Sequence, residues 1–71
     1  MSEKKYNADN FGKNLKEIID CMDTTQSEVS ERCGLTQASI SQIINGERDP
    51  GLKTIVAILN AIPTTMERLL R

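Results

Sequence analysis

The sequence predicts an all-α domain of five short helices. Ile, Leu and Val recur at helical spacing along most of the chain, and no stretch of useful length alternates with period two as a strand would. Cap residues and glycines divide this apolar pattern into short pieces. A chain of 71 residues can form one small domain. We expect a flexible polar segment over residues 1–8 and a single compact domain over residues 9–71.

The first helix is predicted at about residues 9–22. Its apolar residues recur at i, i+4, i+7, i+8 and i+11, which places them on one stripe of an amphipathic helix. These residues are Phe11, Leu15, Ile18, Ile19 and Met22.

The second helix is bounded by cap residues at both ends. Thr25 with Glu28 three residues later forms a capping box, and Gly34 is the expected stop because glycine adopts the left-handed conformation at little cost. Val29 and Cys33 share the inner face. We expect Cys33 and the other cysteine, Cys21, to be reduced packing residues, since two cysteines are too few for a disulfide framework.

The third helix is predicted at about residues 36–45, with Thr36 as its N-cap and Asn45-Gly46 as its end. Its inner face consists of Ile40, Ile43 and Ile44. The fourth helix is predicted to turn Leu52, Ile55, Val56 and Leu59 inward. A second capping box, Thr64 with Glu67, opens the fifth helix, whose apolar residues are Met66, Leu69 and Leu70.

Composition excludes several classes of function. The formal net charge is −1, which argues against a non-specific polyanion binder but allows positive charge along one face. There is no His, no glycine-rich phosphate loop and no carboxylate pair at a recognisable spacing, so the sequence predicts neither an enzyme nor a metal or cofactor site. No apolar run is long enough to span a membrane and the N-terminus has no signal-peptide core, which predicts a cytoplasmic protein.

The connection between the second and third helices is the part of the sequence that says most about the class of protein. Only Gly34 and Leu35 separate the second helix from the cap Thr36, and a short turn containing glycine is typical of the helix-turn-helix. Counting Gln26 as first, a small residue falls at the fifth place, glycine at the ninth and a β-branched residue at the fifteenth. The full pattern comprises Thr25-Gln26, Ser30, Gly34, Gln37, Ile40, Asn45-Gly46 and Pro50.

With these spacings, the span from about Leu15 to Leu70 resembles the lambda-repressor/Cro-like (XRE) helix-turn-helix family of bacterial and phage regulators. The resemblance implies a five-helix fold and sequence-specific binding to double-stranded DNA. Two departures stand out. Ser30 occupies a place usually held by Ala, so its hydroxyl needs a partner, and Ile19 and Ile44 occupy places where some phage repressors have an Arg–Glu pair.

The outward face of the third helix is the predicted reading surface. In this motif that face enters the major groove, with residues near the helix N-terminus on base edges. A Gln amide can pair with adenine in bidentate fashion, a methyl group can pack on thymine, and a hydroxyl can donate or accept. The predicted base-reading residues are Gln37, Ala38, Ser41 and Gln42.

A second set is predicted to contact the phosphate backbone. Gln26 begins a helix whose N-terminal amides can meet a phosphate, and the resemblance implies that it also braces Gln37. The resemblance implies a phosphate contact for Asn45 as well, and the nearest cations are Arg48 and Lys53. The predicted phosphate contacts are Thr25, Gln26, Asn45, Arg48 and Lys53.

The family binds two-fold symmetric operators as dimers, which implies a homodimer formed in solution or only on DNA. The candidate dimer residues are Ile58, Met66, Leu69 and Leu70. Nothing in the sequence indicates a small-molecule effector. An alternative stays open at this point: the same fold can serve as an antitoxin or protein-interaction module in which DNA binding is secondary.

Overall fold

The computed structural model describes residues 8–71 and contains five α-helices and no strand within that range. The predicted flexible segment at 1–8 lies almost entirely outside the described residues. A 3-10 turn, Ala8–Asn10, leads into the first helix. The helices are α1 (Phe11–Cys21), α2 (Gln26–Cys33), α3 (Gln37–Ile44), α4 (Leu52–Ala61) and α5 (Met66–Leu69). The predicted all-α, five-helix fold class is confirmed.

One apolar core joins all five helices. Helix α1 packs against α3 and α5, while α2 packs against α3 and α4. Each helix therefore contributes buried side chains to the same cluster, and none stands apart from it. The core residues are Phe11, Leu15, Ile19, Val29, Ile40, Ile43, Ile58, Ile62 and Leu69.

Threonine side chains cap three of the helices. The Thr25 Oγ1 atom accepts a hydrogen bond from the backbone N–H of Glu28, and Thr36 Oγ1 accepts from the N–H of Ser39, both as the sequence predicts. At α5 the cap is Thr65, whose Oγ1 accepts from the N–H of Arg68. The prediction of Thr64 as this cap is wrong by one residue, because α5 begins at Met66 and the Thr64 hydroxyl is buried without a hydrogen-bond partner.

The C-terminal helix is tied to α1 through side-chain amides. The Asn14 Nδ2 group donates to the backbone carbonyl of Leu69 at 2.9 Å, and Asn10 Nδ2 donates to that of Arg71 at 3.4 Å. The carbonyl of Leu69, the last residue of α5, has no partner within the helix, and the Asn14 amide supplies one. A four-residue helix, too short to be stable alone, is thereby held against the domain.

Helix α4 turns a different stripe toward the core from the one its pattern predicts. Leu52 is 77% exposed and Val56 is 47% exposed, whereas Ile58 is completely buried. The apolar residues of α4 allow two overlapping stripes, and packing against α2 selects the one that continues into Ile62. Ile55 and Leu59 belong to both stripes and are half-buried.

The same packing corrects part of the predicted dimer surface. Ile58 and Leu69 are fully buried within the single chain, so their side chains cannot meet a partner. Leu70 is half-buried and packs against the core, and only Met66 is exposed, at 38%. The domain thus needs most of this stripe for its own core.

The two cysteines differ in environment. Cys33 is half-buried against the core, as predicted, and burial raises the pKa of its thiol. Cys21 is exposed, so the prediction that it packs is wrong: it is the last residue of α1, one position away from the buried stripe. Both are free thiols.

No helix within residues 8–71 is long and apolar enough to cross a membrane.

Helix α1 approaches the end of α3 so closely that only glycine fits between them. A Cβ atom added at Gly12 would overlap the backbone carbonyl oxygen of Ile43 and lie 2.8 Å from that of Ile44. Both obstacles are backbone atoms, which cannot swing aside as a flexible side chain could. Gly12 is the second residue of α1, where glycine favours a helix less than alanine does, so close packing is the physical reason for its presence.

We expect Gly12→Ala to destabilise the domain by about 1–3 kcal/mol, because the clash outweighs the gain in helix propensity. Urea unfolding followed by circular dichroism measures this. Gly51→Ala is the control, since a Cβ there meets nothing within 4 Å. A Gly12→Ala protein as stable as the parent would contradict the close approach.

We expect Ile43→Asp to abolish folding, because burying a carboxylate in this core costs several kcal/mol, comparable to the whole stability of a small domain. Leu52→Asp should still fold, with the far-UV dichroism of the parent and a cooperative melting transition, because Leu52 is exposed in the single chain. Unfolding of the Leu52 variant would instead favour the inward stripe that the sequence pattern predicts.

Candidate nucleic-acid interface

The turn between α2 and α3 closes through backbone hydrogen bonds. Gly34 adopts the left-handed conformation, with φ of 71°, at the C-cap of α2. Its N–H bonds to the carbonyl of Glu31, and the N–H of Leu35 bonds to that of Ser30 at 2.9 Å. This pairing is a helix-ending motif that glycine permits at low cost. The half-buried Leu35 side chain then packs against the core and anchors the chain before α3 begins.

Ser30 fits the place where the family usually has Ala. The residue is only 4% exposed, and its Oγ donates to the carbonyl oxygen of Ser27 at 2.7 Å. The partner that this hydroxyl needs is therefore the backbone of its own helix. A buried polar group with a hydrogen bond carries little penalty, so the substitution does not disturb the motif.

Buried isoleucines set the orientation of α3. Ile40 is completely buried and Ile43 is 3% exposed, while Ile44 is half-buried against the same core. On α1, Ile19 is 2% exposed. The two positions where some relatives have an ion pair, Ile19 and Ile44, thus both join the apolar core, as the sequence suggests.

Three of the four predicted base-reading residues are exposed on α3. Gln37 is the first residue of the helix, Ala38 is the second, and Gln42 lies one turn further along. Ser41 is half-buried, so it lies at the margin of the outward face. The helix, QASISQII, has no charged residue, so no carboxylate on it would repel a polyanion.

The predicted phosphate contacts lie at helix ends and in the loop after α3. Thr25 is exposed and caps α2, while Gln26, the first residue of that helix, is half-buried. Asn45 is exposed and forms the C-cap of α3. Arg48 and Lys53 are exposed, one in the loop and one in the first turn of α4.

A polar network that was not predicted from the sequence links the start of α3 to this loop. Thr36 Oγ1 donates to Ser39 Oγ at 2.9 Å, and Arg48 Nη1 donates to the same Ser39 Oγ at 3.2 Å. Ser39 stands three residues after the N-cap, the place where a capping box has Glu or Gln, and that spacing is the signal that could have drawn attention to it.

Acidic residues lie beside this network. Glu47 and Asp49 flank Arg48 in sequence, and both are exposed. Asp49 lines, together with Ser39 and Arg48, a groove between α3 and the start of α4. Within residues 8–71, no three His, Cys, Asp or Glu residues are grouped as metal ligands would be.

Comparisons with known proteins agree with this geometry. The helix-turn-helix family profile matches residues 15–69. A curated protein named as an uncharacterized HTH-type transcriptional regulator, y4dL, from Sinorhizobium fredii (strain NBRC 101917 / NGR234), is 35% identical over 57 residues. The matched region is 80% of this chain and 29% of that relative's length.

Among solved structures, the restriction-modification controller protein C.AhdI from Aeromonas hydrophila has the same fold. It superposes with a TM-score of 0.80 over 87% of this chain and 94% of the controller, at 21% sequence identity. At that level of identity the match concerns the fold.

The chain belongs to the helix-turn-helix family, as the resemblance implied. Helices α2 and α3 are its helix-turn-helix, with α3 in the position of the recognition helix.

Proposed function

We propose that the protein is a transcriptional regulator that binds double-stranded DNA sequence-specifically, with α3 in the major groove. The observation that carries the proposal is the two-sided character of α3. Its isoleucines are buried in the core, while Gln37, Ala38 and Gln42 are exposed on a surface without charge. The family and the fold support this role. The proposal includes a cytoplasmic location and no catalytic activity.

The exposed residues suit the edges of base pairs in the major groove. A Gln amide presents a donor and an acceptor in one plane, which match N6 and N7 of adenine. Gln37 has the best access, because residues at the N-terminus of a recognition helix point most directly at the bases. Ala38 offers a methyl group to thymine, and Gln42 a second amide one turn later. Ser41, half-buried, would reach the DNA only at the edge of the surface.

The backbone contacts would position this surface rather than read sequence. Thr25 and Gln26 lie at the N-terminus of α2, where free backbone N–H groups favour a phosphate. Asn45, Arg48 and Lys53 would contact the strand on the other side of α3. The two cations place positive charge where a protein with a net charge of −1 needs it.

The regulator would act as a homodimer on a two-fold symmetric operator, because one helix-turn-helix reads only a few base pairs. Since Ile58 and Leu69 belong to the core, the dimer surface has to use other residues. Leu52 and Val56 lie one turn apart on α4 and are both exposed, and Met66 is also exposed. An exposed Leu and Val on one helix face are the strongest support for a contact between two copies.

Gln37→Ala should weaken binding to a duplex selected from a random library by about 1–3 kcal/mol and relax the preference at one base pair. Fluorescence anisotropy on the selected duplex and on a shuffled duplex measures both effects. Lys13→Ala, which removes an exposed side chain of α1, is the control and should bind both duplexes as the parent does. Equal weakening of Gln37→Ala on both duplexes would remove Gln37 from the base-reading set.

Val56→Glu should shift the protein from dimer toward monomer, because a carboxylate in an apolar contact loses its hydration. Sedimentation velocity with and without the selected duplex measures the assembly state. Cys21→Glu adds the same charge at an exposed position of α1 and should leave the dimer intact. A parent protein that is monomeric even on the duplex would contradict the dimer.

A further inference from the structure

The network of Thr36, Ser39 and Arg48 is better suited to an anion than to a purely structural role. Its centre is the half-buried Ser39 hydroxyl, which lies within hydrogen-bond distance of the Thr36 hydroxyl and of the Arg48 guanidinium. The guanidinium can only donate, so Ser39 Oγ accepts from it. The two hydroxyls share one further hydrogen bond.

Counting hydrogens shows what this network lacks. Two hydroxyls carry two hydrogens, and the bond between them uses one, so one hydroxyl hydrogen is left over whichever way that bond runs. A guanidinium has five N–H donors, and the bond to Ser39 uses one of them. The network therefore brings together several hydrogen-bond donors and a positive charge. Its natural partner is an anionic oxygen.

The position of the network matches the backbone of a bound duplex. Ser39 is half-buried on α3 and bonds to Arg48, so it lies between the exposed face of the helix and the loop that carries Arg48. A recognition helix in the major groove is flanked by phosphates on both sides. The carboxylate of Asp49 lines the same groove and would weaken phosphate binding, so the guanidinium charge has to outweigh it.

We propose that Ser39 is a positioning residue that holds the Arg48 guanidinium for one DNA phosphate, with the hydroxyl pair donating to the same phosphate. This inference rests on the proposed DNA-binding function and adds Ser39 and Thr36 to the backbone contacts. A phosphate oxygen accepts from a guanidinium and a hydroxyl together in a charge-assisted arrangement. Holding Arg48 in place before binding lowers the entropy lost by a long side chain.

A clean variant exists because the cap of α3 does not use the Ser39 side chain. Thr36 Oγ1 accepts from the backbone N–H of Ser39, and this bond survives in Ser39→Ala. The variant therefore removes the hydroxyl while α3 keeps its cap. Ser39→Thr restores a hydroxyl at the same position and serves as the matched control. Thr36 itself is left unchanged, because its loss would also remove the cap.

The experiment is a double-mutant cycle with Ser39→Ala, Arg48→Ala and the double variant. Binding to the selected duplex and to the shuffled duplex is measured by anisotropy over a range of salt concentrations. We expect each single variant to bind both duplexes about tenfold more weakly, since a hydrogen bond to a charged group is involved. Arg48→Ala should flatten the salt dependence by about one unit of slope, which is one phosphate contact.

Coupling between the two substitutions tests whether Ser39 and Arg48 hold one phosphate together, an arrangement called the clamp below. The double variant should bind no more than about twofold more weakly than Arg48→Ala, because most of the effect of Ser39 is exerted through the position of Arg48. A neutral hydroxyl releases no counterion, so a flatter salt slope in Ser39→Ala reports directly on Arg48. Ser39→Thr should bind as the parent does.

Three results would overturn the clamp while leaving DNA binding in place. These are parent-like binding by Ser39→Ala, single-variant effects that multiply in the double variant, and an unchanged salt slope in Ser39→Ala or Arg48→Ala. Failure of the proposed function has a different signature. In that case the parent protein would show no salt-dependent binding to any duplex, and the proposed roles of Ser39 and Arg48 would be refuted as well.

Discussion

The contact between Gly12 and the last carbonyls of α3 is the constraint on which the exposed face of α3 depends. Helix α1 meets α3 at the backbone itself, without an intervening side chain. A contact between two backbones leaves little room for adjustment, since neither side can change rotamer. The C-terminal end of α3 is therefore set by α1, while its N-terminal end is set by the turn at Gly34 and the cap at Thr36. A helix held at both ends presents one face to solvent.

That face is defined as much by missing charge as by the residues present. The protein carries ten acidic and nine basic residues, yet α3 has neither kind. The basic residues Arg48 and Lys53 are exposed and lie outside this helix, one in the loop after it and one in the first turn of α4. In the proposed function, backbone attraction and base discrimination thus fall to separate residues, which is the division typical of DNA-binding proteins. Ser39 connects the two parts, because it lies on α3 and bonds to the arginine of the loop.

The sequence pattern predicts helix α4 correctly, but the face of α4 that the pattern turns toward the core is the wrong one. Its apolar residues are dense enough for two stripes, one through Leu52 and Val56 and one through Ile58 and Ile62. Only the second lies against the rest of the domain. The first is left exposed, and the proposed dimer surface is therefore placed there. Residues that the sequence pattern suggested for a partner, Ile58 and Leu69, are needed by a chain of 71 residues to build its own core.

The sequence by itself determined what depends on neighbours along the chain. The limits of α2 and α3, the caps at Thr25 and Thr36, the left-handed Gly34 and the isoleucine stripe of α3 all follow from local hydrogen bonding and the helical period. Together they were sufficient for the fold class and the family. Only the tertiary structure decided which stripe of α4 is buried, why position 12 must be glycine, and that Arg48 meets Ser39 nine residues earlier. These features join residues from different elements, and an apolar pattern or a spacing carries no information about which element a given face will meet.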